Sequence, residues 1–512
     1  MKLYKISTFL LASGLLLSTS GCKDDLLDKV NPNEPSTGQF WKTQDDATRA
    51  VTAMYSGLQY IGTYSQRWHF ATIPRSDEGY SQTPYVELGQ YTRFIQTNTT
   101  FEYSYFMWID FYRTIFRCNQ IIARVPEISM DEDLKKRLIA EARFVRGLCY
   151  FDMSMTFGNV PLNLVVADAS TRVPQGTVAS VQAQVIEDLL AAKPDLPLTY
   201  TGNDLGHATR GSATALLGRV YLQQRKWTEA SAQLAEVISS NQYSLVPNYL
   251  DNFTMANENN RESLFEVQFS DASITGGQDF AGAAEGNERA QFFAPNGIGY
   301  ADVEARRWIF DEFRDSTAAF APGSTTRHQV DPRREVTLFS AVGTPTVYGR
   351  PFGTGANGLN LNPSRYFWRK YQNDRTRNFE NFFSGINIRL IRYADVLLMQ
   401  AEALNELGQT VAAAPLVNQV RSRVGLAPIS TTLSQTQMRT QLRHERVTEL
   451  SGEGMRWYDI NRYGLLDDQA GINELKARDA DFNNFVLGKS KLLPIPQSDI
   501  DIDRNIKQNP GY

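Results

Sequence analysis

The sequence is poor in the residues that staple or metallate a fold. It has three cysteines and four histidines in 512 residues. Cys22, Cys118 and Cys149 lie far apart, too few for a disulfide framework and with no metal-ligand spacing. Cys118 and Cys149 sit in apolar, helix-like surroundings and read as small buried hydrophobes, with a bridge between them left open. His69, His207, His328 and His444 are scattered, and no zinc motif links them. Neither sign of charge dominates. Lys and Arg number 52 against 56 Asp and Glu, a net charge of −4, which lacks the basic surplus of a dedicated nucleic-acid binder. A mean hydropathy of −0.37 excludes a polytopic membrane protein. What is present is 42% hydrophobic and 21% charged, which supports a sizeable core and excludes disorder over most of the chain.

The one long apolar run is at the start. Lys2 and Lys5 precede an apolar stretch from Ile6 to Leu17, followed by small residues. This predicts a signal peptide over residues 1–21, too short for a stable membrane span. Ser20 and Gly21 before Cys22 resemble a lipobox, with Thr19 where a leucine is usual. Cys22 is therefore the expected lipidation site, and residues 22–40, polar and rich in Pro and Asn, the expected tether.

Beyond the tether, apolar spacing near 3.6 predicts helices over 45–60, 105–125, 131–155 and 178–190. Residues 64–100, rich in Thr, Ser, Gln and Tyr, read as a long irregular loop. Within 211–240, Leu217, Gly218, Tyr221, Trp227 and Ala230 stand where a tetratricopeptide helix pair needs them. A second pair is expected over 392–424, with Leu398, Ala401, Gly408 and Ala412 in the same roles, and a third match covers 140–150. The predicted fold is mostly all-α, a tetratricopeptide-like scaffold with large irregular insertions. Its expected divisions are 41–265, a loop-rich ligand-face insertion over 266–385, and a helical region over 386–512. Helix signals in the insertion are weak except at 303–313, and so long a loop is usually functional.

Several motifs mislead. GxGxxG at 353–358 follows no apolar strand, and Pro363 stands where a helix should run, so it reads as a turn. His444 and Glu445 begin an HExxH, but Thr448 replaces the second ligand. Glu445, Glu449 and Glu453 recur every fourth residue, which predicts a solvated or ion-paired face with Arg443, Arg446 and Arg456 as partners. Asp77 and Glu78 are the one adjacent acid pair considered for catalysis, though such pairs more often cap turns or bind cations.

Aromatics make up 11% of the chain and crowd the two loop regions. Flat rings pack against the C–H faces of pyranoses, while Asp, Asn and Arg read hydroxyls. On that chemistry the candidate ligand-binding residues are Asp77, Tyr80, Tyr85, Trp308, Tyr348, Arg369 and Tyr371. No catalytic residue is assigned.

An ordered set of segments then resembles one family. It comprises EARFVR at 141–146, YFD at 150–152, FGNVPL at 157–162, RGSA at 210–213 and LGRVYL at 217–222. It continues with ESLFE at 262–266, RYADVLL at 392–398, RHER at 443–446, GMRWYDI at 454–460, LPIP at 493–496 and NPGY at 509–512. Together with Cys22 these resemble the SusD/RagB outer-membrane lipoproteins of Bacteroidetes, Asn159 standing where the family usually has Asp. Asp24 and Asp25 after Cys22 are similar to the surface-export signal of such lipoproteins. The resemblance implies a non-enzymatic, surface-exposed glycan-binding lipoprotein, held by lipid at Cys22. It implies delivery of ligand to a SusC-like TonB-dependent transporter, with capture of peptides or another nutrient as the alternative and a surface glycosidase behind it. It implies that Arg143, Tyr221, Arg392, Glu402 and Trp457 serve the scaffold. No cofactor is expected, and a structural Ca²⁺ in the loops stays open.

Overall fold

A computed structural model describes residues 40–512, apart from 82–84, 97–98, 101, 169, 273–284, 315–329 and 356. The signal segment, Cys22 and the tether up to residue 39 lie outside the described residues.

The helices form where periodicity placed them, and capping sets their ends. Helix α1 (Gln44–Ser56) opens on a reciprocal cap between Thr43 and Asp46. Helix α2 (Glu102–Arg124) follows, then α3 (Glu132–Phe157), capped by Asp131, and α4 (Val178–Ala192), capped by Thr177. Helices α5 (Arg210–Gln223) and α6 (Trp227–Ser239) form the pair expected over 211–240. Gly218 lets them approach, because a Cβ there would come within 2.8 Å of the Leu234 side chain. Leu217 and Ala230 are buried in the seam, and Tyr221 and Trp227 fill its rim.

Helices α7 (Tyr393–Glu406) and α8 (Thr410–Arg423) form the second pair, with Gly408 turning the chain at φ +78°. Here one expectation is corrected. Ala412 is exposed, and the buried small residues are Ala413 and Ala414, because α8 begins at Thr410 and so rotates the seam by one position. The pairs α3/α4, α5/α6 and α7/α8 stack in turn, and α9 (Gln435–Leu450) covers α7. Repeats separated in sequence thus become neighbours in space. Cys118 and Cys149 are buried free thiols.

The loop regions are more ordered than their composition suggests. The described residues of 64–100 do not form one exposed loop. They hold short helices at Arg67–Thr72 and Val86–Thr92, and every residue of the first is buried. Trp68 donates to the Tyr458 hydroxyl at 3.1 Å. The Tyr64 and Tyr458 hydroxyls both donate to Asp152, at 2.6 and 2.7 Å. The insertion is threaded into a four-stranded antiparallel sheet. Its order is β1 (Gly79–Tyr80), β3 (Glu304–Ala305), β5 (Tyr366–Trp368) and β4 (Leu338–Phe339). At its base, β2 (Ser263–Val267) pairs with β6 (Ile388–Arg392). Such short, mixed segments carry no period for a pattern search to find.

Glu445, Glu449 and Glu453 correct another expectation. They are buried, and their partners are not the nearby arginines. Arg333 and Arg421 reach Glu445 at 2.7 and 3.0 Å. Arg333 and Arg392 reach Glu449 at 2.9 and 3.0 Å, and Arg423 closes on the same carboxylate. Lys370 and Arg392 hold Glu453 at 2.7 and 2.8 Å. Arg446 instead spans Asp395 and Asp459, and Arg456 pairs with Asp77. Among the other scaffold residues, Glu402 pairs with Arg462 at 2.6 Å, and Trp457 is buried under the Arg75 guanidinium.

The turn after α9 brings α10 (Arg456–Arg462) back against the Arg67–Thr72 helix and α5. Gly452 and Gly454 adopt φ of +76° and +84°, and a Cβ on Gly454 would lie 2.5 Å from the Trp68 ring. Gly454→Ala is expected to cost about 2–4 kcal/mol, combining backbone strain with the clash. A lowered urea midpoint with an unchanged slope would record it.

Candidate functional site

Two segments distant in sequence meet on one side of the scaffold. The Glu288 amide donates to the Ser65 hydroxyl at 3.1 Å, and the Gln66 amide group donates to the Glu288 carboxylate at 3.0 Å. The Arg306 amide donates to the Glu78 carbonyl at 2.9 Å. At this junction the aromatic rings run in series. Phe70 meets Phe292 at 5.6 Å and Tyr103 at 5.4 Å. Tyr103 meets Tyr85 at 5.1 Å, and Phe292 meets Tyr300 at 5.4 Å. Phe382 stands 6.0 Å from Tyr300. Phe70, Phe292 and Tyr103 are buried and form the base. Tyr300 is 48% exposed, and Tyr85 and Phe382 are half-buried. The result is an aromatic ledge.

The backbone presents Tyr300 rather than folding it in. Its amide donates to the Gln291 carbonyl at 3.0 Å, and the amides of Ala301 and Asp302 bond to Ala294 and Phe292. Gly299 passes so close to Gln291 that a Cβ would sit 2.3 Å from its carbonyl oxygen, and Ala301 takes φ +51°. A tight, doubly anchored turn leaves the ring pointing outward. At the other end of the ring series, against Tyr103 and Tyr85, lies a polar fork. Arg67, buried 4.1 Å from the centre of the Tyr103 ring, donates to Glu102 at 2.8 Å. The Tyr85 hydroxyl donates to the other Glu102 oxygen at 3.1 Å. The Glu102 side chain remains 39% exposed. Burial, and then the Glu102 charge, push the neighbouring Glu87 carboxyl up. Burial above all pushes the Tyr85 hydroxyl up to about 12, so it stays a donor at neutral pH. Rings with an apolar face beside a carboxylate–guanidinium fork can stack a sugar and read its hydroxyls.

Of the residues singled out in the sequence, the structure brings Tyr85 to this ledge. Tyr80 lies on β1, its hydroxyl on Glu304 at 2.9 Å and its ring 4.4 Å from the Arg306 guanidinium. Trp308 is half-buried, its indole N–H on the Asp77 carbonyl and its ring between Arg456 and Arg478. Arg369 is spent on Asp374 and the Glu335 carbonyl. Three others are interior and do not face a ligand surface. Asp77 takes both branches of Arg456, at 2.6 and 2.7 Å. Burial opposes its charge, but Arg456 and Arg478 outweigh burial and hold its carboxyl below the usual value. The Tyr348 hydroxyl is closed against Gln372 and Glu380. Tyr371 is buried against Arg289 and Phe253. Long polar side chains from elsewhere reach each of these, which no local spacing announces. Sequence reasoning missed Tyr103, Tyr300, Phe382, Arg67 and Glu102. Only Tyr300 carried a signal, as an aromatic in a glycine-flanked turn. Among the described residues no three His, Cys, Asp or Glu side chains converge to hold a metal, and no helix is long and apolar enough to cross a membrane.

A stacked helix-pair scaffold that carries its aromatic surface on inserted segments defines a binding protein rather than a repeat rod. Residues 239–512 match a family model described as the SusD family, and residues 27–222 match one described as starch-binding, associating with outer membrane. The chain belongs to the SusD family. It is similar to SusD-like protein P25 of Formosa agariphila, at 26% identity across 98% of this chain and 97% of that one. A solved SusD superfamily protein from Bacteroides vulgatus superposes with a TM-score of 0.80 at 27% identity, over 92% of this chain and all of that chain. A structure described as a laminarin binding SusD-like protein gives 0.76 at 29% identity, with the same coverage.

Glu78, next to Asp77, is sealed under Gly452, whose amide donates to it at 3.3 Å, and burial pushes its carboxyl from 4.5 up to about 8. The folded chain therefore keeps a proton that the unfolded chain releases. This contribution to stability is full below about pH 4.5 and is lost as pH rises through about 8. Glu78→Gln should gain in melting temperature over the parent progressively between those limits. A constant difference across that range would contradict the assignment.

Proposed function

We propose that the chain is a surface glycan-binding lipoprotein that holds saccharide on the ledge without cleaving it and passes it to a SusC-like TonB-dependent transporter. The observation that carries the reading is the exposed Tyr300 ring, fixed by its turn and flanked by Phe382, joined through the buried rings Phe292, Phe70 and Tyr103 to the Tyr85–Glu102–Arg67 fork. Membership of the SusD family supports it, as does the similarity to a laminarin-binding relative and to a family described as associating with the outer membrane. Lipid on Cys22 and the polar stretch after it would keep the domain at the membrane yet free to swing over a transporter. Stacking and wet hydrogen bonds yield little net free energy per contact, so a single chain should bind at about micromolar affinity or weaker.

Affinity electrophoresis of the chain from residue 23, against a polysaccharide panel that includes laminarin and starch, tests the reading. Retardation without new reducing ends is expected. Tyr300→Ala should weaken it about tenfold, with the melting temperature unchanged. Release of reducing ends, or a Tyr300→Ala protein that binds as the parent does, overturns it. In cells, Cys22→Ala should move the chain from the membrane fraction to the soluble one. Retention of this variant in the membrane would refute the lipid anchor.

A further inference from the structure

The ledge occupies only the first turn of α2. Farther along, the same helix forms one wall of a groove of about 780 Å³. Its other walls are Pro161, Asn163 and Thr171 to Val173, and the C-terminal segment around the Gln497–Ile502 helix. Phe116 stands at its mouth, 40% exposed. The Tyr60 ring lies opposite, 5.2 Å from the Arg117 guanidinium. The floor is tied down, with the Trp108 indole N–H donating to Asp499 at 3.0 Å and the Tyr112 hydroxyl to the Pro161 carbonyl at 2.7 Å. Arg113 projects alongside, its side chain 57% exposed while it bonds Asp110.

Position on the helix joins the two places. Glu102, Phe106, Ile109, Arg113 and Phe116 recur at intervals of three and four residues, so they share one face of α2. Tyr103 belongs to the ledge, and Phe116 lies thirteen residues on, about 20 Å at the helical rise. We infer that the groove is a second saccharide subsite, reached by a chain that starts on the ledge and follows this face of α2. The inference rests on the ledge binding glycan. The groove chemistry favours a hydroxyl-rich ligand that can both donate and accept hydrogen bonds. The exposed Phe116 ring offers a stacking face, and Arg113 with Asp499 supplies both donors and acceptors. A purely apolar occupant would strip water from those charges, and from Arg117, Arg172 and Asp503 beside them, without replacing it.

The experiment is a chain-length series of the polysaccharide that retards the protein, titrated by calorimetry against the parent, Phe116→Ala, Arg113→Gln and Tyr300→Ala. The parent should bind fragments long enough to span both places more tightly than short ones. Phe116→Ala and Arg113→Gln should each remove about fivefold of affinity for long fragments and leave short ones unchanged. Tyr300→Ala should weaken both lengths. Unchanged long-fragment affinity in both groove variants, equal loss at both lengths, or no gain with length in the parent overturns the second subsite and leaves the ledge standing. A Tyr300→Ala protein that binds both lengths normally, or a panel without any ligand, removes the ledge reading and the subsite with it.

Discussion

A buried charge cluster ties the insertion to the C-terminal helices. Arg333, Lys370, Arg392, Arg421 and Arg423 face Glu262, Asp331, Glu445, Glu449 and Glu453, five cations against five carboxylates. The members come from β6, α8, α9 and the turn after it, the insertion, and the segment leading into β2. Burying so many charges is costly unless every one is answered, and removing one partner of such a pair typically costs about 3–5 kcal/mol. The cluster therefore acts less as glue than as a specification, because only one arrangement of these elements leaves no charge unpaired.

The ledge depends on that specification at one remove. Lys370, a member of the cluster, and Gly452, next to Glu453 in the chain's turn after α9, offer their carbonyls to Arg289 at 2.6 and 2.9 Å. Arg289 is fully buried, and burial pulls its guanidinium down to about 10, still protonated at neutral pH. It begins the short helix Arg289–Phe293 and packs against the Phe293 ring. That helix carries Phe292, on which Tyr300 and Phe382 rest. A rigid ionic interior thus positions a stacking surface that itself contains few ionic contacts. Because the rings are held before any ligand arrives, binding need not fix them at further entropic cost.

The scaffold was largely legible. Helices with an apolar stripe announced themselves, as did the close approach at Gly218, because both are local consequences of spacing. The site was much less so. Tyr85, Tyr348 and Tyr371 look alike in sequence, each an aromatic in a polar stretch. One reaches the surface, while Glu380 and Arg289 draw the other two inside. The acids of α9 had the spacing of a solvated face, and what buried them were arginines on other elements, one of them more than a hundred residues away.

The amino-acid sequence by itself determined the helices, their caps, the helix-pair seams and the order of segments that resembles SusD/RagB proteins, since each depends on neighbours within a few turns of chain. Tertiary structure alone decided which aromatics are ledge and which are core, which acids are sealed in the interior, and that the face of α2 runs from the ledge into a groove. Those outcomes turn on partners distant in the chain, where exposure is a property of packing and not of residue type.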